Sequence, residues 1–141
     1  MHKINIYIEC SDKSAKATEK MFGYVKIMPD GSKCRCIGHP QKITYHRATL
    51  FALYMAIRKR EDNYEIHLYT CDQYVPAMIS TNLRKWEERD FKTVKQKDVT
   101  DADLWREIAK KLKYQKVVGH SERCEYHEML EKLFEAARQI D

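Results

Sequence analysis

The sequence predicts an α/β protein: a five-stranded mixed sheet with helices on both faces, in the order β-β-β-α-β-α-α-β-α. Three observations predict it. Ile4, Ile6 and Ile8, and again Ile66, Leu68 and Thr70, alternate with their neighbours at the period of two that strands require. Leu50, Leu53, Tyr54 and Ile57 recur instead at helical spacing. Gly and Pro number four and three in 141 residues, too few for the turns of an all-β sandwich.

The elements follow in order. The first strand ends in Glu9-Cys10-Ser11, and a polar loop runs through Lys20. Phe22–Met28 reads as a second strand, Pro29-Asp30-Gly31-Ser32 as a turn, and Lys33–Ile37 as the returning third strand. His39-Pro40 breaks the chain before a helix over Tyr45–Arg60. Phe51 and Met55 widen its apolar stripe, and Arg58-Lys59-Arg60 suit the negative end of its dipole. Asp62-Asn63 punctuate. The fourth strand is Glu65–Cys71, and Asp72 stands where a helix N-cap belongs. One helix is expected over Gln73–Arg89, with Val75, Ile79, Leu83 and Trp86 inward and Pro76 in its first turn. Asp90–Val99 is an irregular basic loop. Thr100 and Asp103 have the spacing of a capping box, opening a helix with Leu104, Trp105, Ile108 and Leu112 inside. Tyr114–Val118 is the fifth strand, ended by Gly119-His120. Ser121 is placed to cap a last helix with Leu130, Leu133, Phe134 and Ala137 inside. The whole of 1–141 is expected to be one domain, since no repeat or linker interrupts it.

Composition narrows the function. The net charge of +5 and pI near 8.9 suit a polyanion partner, and equally a merely basic surface. No run approaches the length of a membrane span. The start, Met-His-Lys-Ile-Asn-Ile, has no apolar signal core, so the five cysteines are expected as free thiols in a reducing, cytoplasmic compartment. Cys34 and Cys36, two apart on a strand, face one side and are read as packing residues.

Several strings, in the right order, resemble ribonuclease H type 1. Ile6-Tyr7-Ile8-Glu9-Cys10-Ser11 is similar to the family's first strand with its Asp-Gly-Ser, and Phe22-Gly23-Tyr24 to the start of its second. His46-Arg47-Ala48-Thr49-Leu50 resembles Asn-Arg-x-Glu-Leu. Thr70-Cys71-Asp72-Gln73-Tyr74-Val75 resembles Thr-Asp-Ser-Gln-Tyr-Val. Trp86 with Phe91-Lys92-Thr93 is similar to the basic handle, and Asp103-Leu104-Trp105 to the next helix entry. Gly119-His120 resembles the mobile loop, and Glu122-Arg123-Cys124-Glu125 the start of the last helix.

The resemblance implies a ribonuclease H-like fold and hydrolysis of the RNA strand of an RNA–DNA hybrid. Four carboxylates would hold two Mg²⁺ or Mn²⁺ ions about 3.5–4 Å apart. In this chain the four positions carry Glu9, Thr49, Cys71 and Glu125. A hydroxyl and a soft thiol stand in for two acids, which leaves Glu9 and Glu125 as the remaining metal ligands. Asp72 beside Cys71, and Glu128 one turn from Glu125, are the acids that a rearranged site would recruit. Alternation sends Asp72 to the opposite face from Cys71, and the capping role already accounts for it.

Two other chemistries compete. Cys71, Cys124, His120 and His127 are soft ligands, without the tidy spacing of a zinc site; His127 is expected in solvent, and Cys124 against the core. Cys71 as a nucleophile would need His120 as its base, on a flexible loop; the competing expectation is a buried, inert thiol.

The substrate-facing positions are fuller. Thr44, Tyr45, His46 and Gln73 match positions that contact nucleic acid, with Tyr45 and His46 in place of amides. Lys85, Trp86, Lys92 and Lys95, with Arg84 and Lys97, resemble the phosphate-gripping handle. The expectation is a catalytically impaired homologue that binds an RNA–DNA hybrid or another duplex. The alternatives are an active nuclease with a rearranged carboxylate site, and a protein-interaction module on the same fold.

Overall fold

The computed structural model describes residues 2–59 and 63–139. The alternating isoleucines form the central strand, β1 (His2–Cys10). After it come β2 (Thr18–Lys20), β3 (Phe22–Ile27), β4 (Lys33–Ile37), β5 (Gln41–Ile43) and α1 (Tyr45–Ile57). Then follow β6 (Tyr64–Tyr69), α2 (Tyr74–Thr81), α3 (Leu83–Glu88), α4 (Ala102–Lys111), β7 (Lys116–His120) and α5 (Glu125–Arg138). The main sheet has five strands in the order β4-β3-β1-β6-β7. β3 lies antiparallel to β1 and β4, while β1-β6-β7 are parallel, with Ile4 opposite Ile66 and Leu68 opposite Gly119.

Strand alternation gives the sheet two apolar faces. Ile4, Ile6, Ile8, Ile66 and Leu68 point to a core shared with Leu50 and Leu53 of α1 and Trp105 and Ile108 of α4. Val25 points the other way, to Leu130 and Phe134 of α5, with Tyr7 and Tyr126 packed beside them. Helices therefore cover both faces, as expected. The parallel strands bring the carboxyl ends of β1 and β6 side by side, where ligands collect in such sheets.

Local structure departs from expectation at identifiable places. Thr18–Lys20, read as loop, and Gln41–Ile43, left unassigned between the His39-Pro40 break and the helix, pair into a separate two-stranded sheet. The helix over 73–89 is two helices, broken at Asn82. Ser80 and Thr81 there turn their hydroxyls back onto the carbonyls of Pro76 and Ala77, a bond that weakens helix continuation. Thr100 and Asp103 form no capping box: Asp101, in the left-handed region, precedes α4. β7 starts two residues later than expected and includes Gly119 and His120. Ser121 does not cap α5. Cys124 does, its thiol accepting from the His127 amide while His127 Nδ1 accepts from the Cys124 amide at 3.1 Å. Arg58 and Lys59 lie beyond the last turn of α1; Arg60 and Asp62 lie outside the described residues. Cys34 and Cys36 are exposed on an edge strand and not packed.

Candidate functional site

Glu9 ends the central strand and is 3% exposed. Its Oε1 accepts from the Cys10 amide at 3.1 Å and lies 3.5 Å from Lys13 Nζ. Its Oε2 accepts from the Arg123 guanidinium. Arg123 Nη1 is also 3.8 Å from Cys71 Sγ, and Nη2 donates to Glu131 at 2.7 Å. Glu9 and Cys71 are thus brought together, and the link between them is a cation carried by the chain. The hydrogen bond to Glu9 is the main cause that pushes the Arg123 guanidinium further up from its ordinary value.

The other two family positions do not join them. Thr49 is fully buried on α1 and donates to the Tyr45 carbonyl at 3.2 Å, 3.9 Å from the Cys10 thiol. Glu125 is exposed on the first turn of α5, in a shallow hollow with Glu128, Met129, Lys132 and Leu133. Cys71 is exposed, so the inert buried thiol expected there is Cys10 instead, pushed up to about 12 by burial.

Asp72 is 2% exposed whereas Cys71 is exposed, and both lie in the turn that follows β6. Asp72 is not the cap of α2: Gln73 holds that place and no side chain caps it. Both Asp72 oxygens face His46 Nδ1, at 2.8 and 3.0 Å, so the carboxylate is engaged with α1 and not with the first turn of α2.

His120 lies on a paired strand and not on a loop. Its ring stacks on Tyr69 at 4.4 Å, and its Nε2 is 2.7 Å from His67 Nδ1, which leaves Cys71 without it as a base. His127, expected in solvent, is fully buried, with Nε2 donating to the Tyr69 carbonyl at 3.1 Å. Cys124 is half-buried at its cap position. Among the described residues, no three His, Cys, Asp or Glu side chains converge to hold a metal.

That donor set does not fit the two hard ions implied by the resemblance. Mg²⁺ and Mn²⁺ require several anionic oxygens. Of the acids at the family positions Glu9 alone is buried, and it is engaged by two cations beside a thiol and a committed hydroxyl, while the buried Asp72 carboxylate is bonded to His46.

The positions read as nucleic-acid contacts divide. Thr44 caps α1, accepting from the Arg47 amide at 3.2 Å. Burial raises the Tyr45 phenol well above its ordinary range. His46 stacks on Tyr74 at 4.3 Å. Gln73 spends its amide N–H groups on the Thr70 and His120 carbonyls. Trp86 is half-buried against Trp105, ring centroids 5.3 Å apart, and so belongs to the packing. Lys85, Lys95 and Lys97 are exposed, whereas Lys92 pairs with Asp98 and Arg84 with Glu87. Sequence reasoning missed Arg123 as a site residue. Its signal was its place inside a string already seen to resemble the family.

A mixed sheet in this order, with an acid at the carboxyl end of its central strand, defines a ribonuclease H-like protein. The chain belongs to the RNase H family, whose model matches residues 2–139. It is 33% identical over 99 residues to a ribonuclease H of Ehrlichia ruminantium (strain Gardel), covering 70% of this chain and 67% of that one. A ribonuclease H of Nitrosospira multiformis is 29% identical over 128 residues, covering 85% and 83%. Among solved structures, a type 1 RNase H with the type 2 active-site motif superposes with a TM-score of 0.69 at 16% identity, over 100% of this chain and 74% of that one. A foamy viral protease-reverse transcriptase in complex with RNA/DNA hybrid gives 0.69 at 17% identity, over 94% of this chain and 18% of that one. Among the described residues, no helix is long and apolar enough to cross a membrane.

Proposed function

We propose that this domain grips duplex nucleic acid, an RNA–DNA hybrid first, without hydrolysing it. The observation that carries the reading is the state of the four family positions. Glu9 is held by Arg123, Thr49 is closed off in the core, Cys71 is a thiol and Glu125 faces solvent on α5. Two-metal hydrolysis relies on anionic ligands for both ions, and a hydroxyl at Thr49 and a thiol at Cys71 support a reading without it. Binding needs less: cations along a surface and a few positioning groups. Exposed Lys85, Lys95 and Lys97, and the His46–Tyr74 stack, supply them. The solved hybrid complex of a structural neighbour supports the choice of ligand. The free thiols of all five cysteines suit a reducing compartment such as the cytoplasm.

The test uses a labelled RNA–DNA hybrid with purified protein in Mg²⁺ and then in Mn²⁺. Salt-sensitive binding with no cleavage is expected. Cleavage that disappears in Glu9→Gln would establish an active, rearranged site. Neither cleavage nor binding would leave the fold as a protein-interaction module.

A further inference from the structure

A carboxylate as buried as Glu9 needs a counter-charge, since an unpaired buried ion costs several kcal/mol. In a two-metal centre the divalent ions supply it. Here the chain does. Arg123 reaches Glu9 from the segment before α5, and its planar fork serves three neighbours at once: Glu9, Cys71 and Glu131. Lys13 adds a second cation, 3.5 Å from the other oxygen. Two carboxylates, Glu9 and Glu131, therefore face two cations, Arg123 and Lys13, and the cluster is neutral. The thiol of Cys71 agrees with this balance. An acid in place of Cys71 would add a negative charge beside the guanidinium, whereas the thiol, 3.8 Å from its Nη1, adds none.

We propose that Arg123 is a built-in cation in the place the family gives to its metal, so that the centre excludes divalent ions and keeps its shape without them. Glu9 is then a structural partner of Arg123, which accounts for an acid at this position in a site that does not assemble. The inference rests on the non-hydrolytic half of the preceding reading and is independent of whether duplex is bound.

The test is Mn²⁺ binding to the full chain, followed by water-proton relaxation, with no nucleic acid present. Wild-type protein is expected to show no saturable binding, and its thermal midpoint is expected to be the same in EDTA and in Mg²⁺. Thr49→Glu/Cys71→Asp is expected to bind Mn²⁺ weakly, because Arg123 still competes. Adding Arg123→Ala is expected to tighten binding by at least about tenfold. If that triple variant does not fold, Arg123→Gln in the same background carries the same expectation. Saturable Mn²⁺ binding by wild type, a midpoint raised by Mg²⁺, or no gain on removing Arg123 would each overturn the proposal. Loss of duplex binding alone would overturn the preceding reading and leave this one standing.

Discussion

His46 and Asp72 meet across 26 residues of sequence: one imidazole nitrogen lies 2.8 and 3.0 Å from the two oxygens of a carboxylate that is itself buried. The pair ties the first turn of α1 to the turn that leaves β6. His46→Ala is expected to cost about 1–3 kcal/mol, because it leaves the buried Asp72 carboxylate unsatisfied, and Asp72→Ala is expected to cost less, because His46 is 45% exposed and water can replace its partner. The double change His46→Ala/Asp72→Ala is expected to cost less than the two singles together, with a coupling of about 0.5–3 kcal/mol. Urea unfolding of the four proteins measures it, and simple additivity would refute the pairing.

The five cysteines are expected to separate by accessibility. Cys34, Cys36 and Cys71 are exposed, Cys124 is half-buried, and Cys10 is buried with its thiol pushed up to about 12 by desolvation. The thiolate is the nucleophile that attacks a thiol reagent, so at mildly alkaline pH Cys10 has neither the charge nor the access. Native-state labelling followed by mass spectrometry should show three fast sites, a slower Cys124, and Cys10 reacting on unfolding alone. Fast labelling of Cys10 would contradict its place in the core.

Arg47 links α1 to the start of α4 through Asp103 at 2.7 Å and Asp101 at 2.9 Å. The hydrogen bond from Arg47 holds the Asp103 carboxyl below its ordinary range. A carboxyl lowered on folding adds stability that is full above the ordinary carboxylate range and is lost as pH falls through its lowered value. Asp103 is 66% exposed, so solvent screens the pair to less than about 1 kcal/mol. Asp103→Asn should therefore destabilise slightly at neutral pH and not at all in strong acid. A difference that persisted unchanged in acid would exclude the ion pair as its source.

Much of this was legible in the sequence, and the rest was not, for reasons that differ by residue. Ile4, Ile6 and Ile8 alternate because one face of β1 is buried, so the central strand can be read directly. Thr18–Lys20 and Gln41–Ile43 are three residues each and mostly polar, too short for any period to register. The break at Asn82 has no Gly or Pro to mark it. Asp72 before a helix has the local signature of a cap, and the partner that claims it lies far away in sequence. The same holds for Arg123: spacing cannot tell which residue before α5 reaches back to β1. The hydroxyl at Thr49 and the thiol at Cys71 are legible without a structure, since both are read directly from the sequence.

Gly119 sits where β7 passes α2. A Cβ built there would lie 2.7 Å from Pro76 Cβ and 3.0 Å from its Cγ, and a proline ring cannot swing aside. The glycine is required by close approach, not by an unusual backbone angle. Gly119→Ala should cost about 1–3 kcal/mol as overpacking. Because Gln73 donates to the His120 carbonyl next door, amide exchange at the β7–α2 contact should accelerate more than in β1 or β3. Uniform acceleration across the sheet would point to global destabilisation in place of this local wedge.

The basic handle yields the sharpest test of duplex contact, because its lysines are not equivalent. Lys92 is paired with Asp98 within a small bridge, so its charge is partly offset before any ligand arrives. Lys85 on α3 and Lys95 in the following loop are exposed, and among the described residues neither has an ion pair. A lysine that neutralises a phosphate releases about one counterion, which appears in the salt dependence of binding and not in sequence preference. Lys85→Ala and Lys95→Ala should each lower the slope of log affinity against log salt by about 1, and Lys92→Ala by less. Trp86→Ala is a poor probe beside them, since its ring packs on Trp105 and its removal opens the core under α3. Slopes that all match wild type would show that the duplex, if bound, lies on some other face of the sheet.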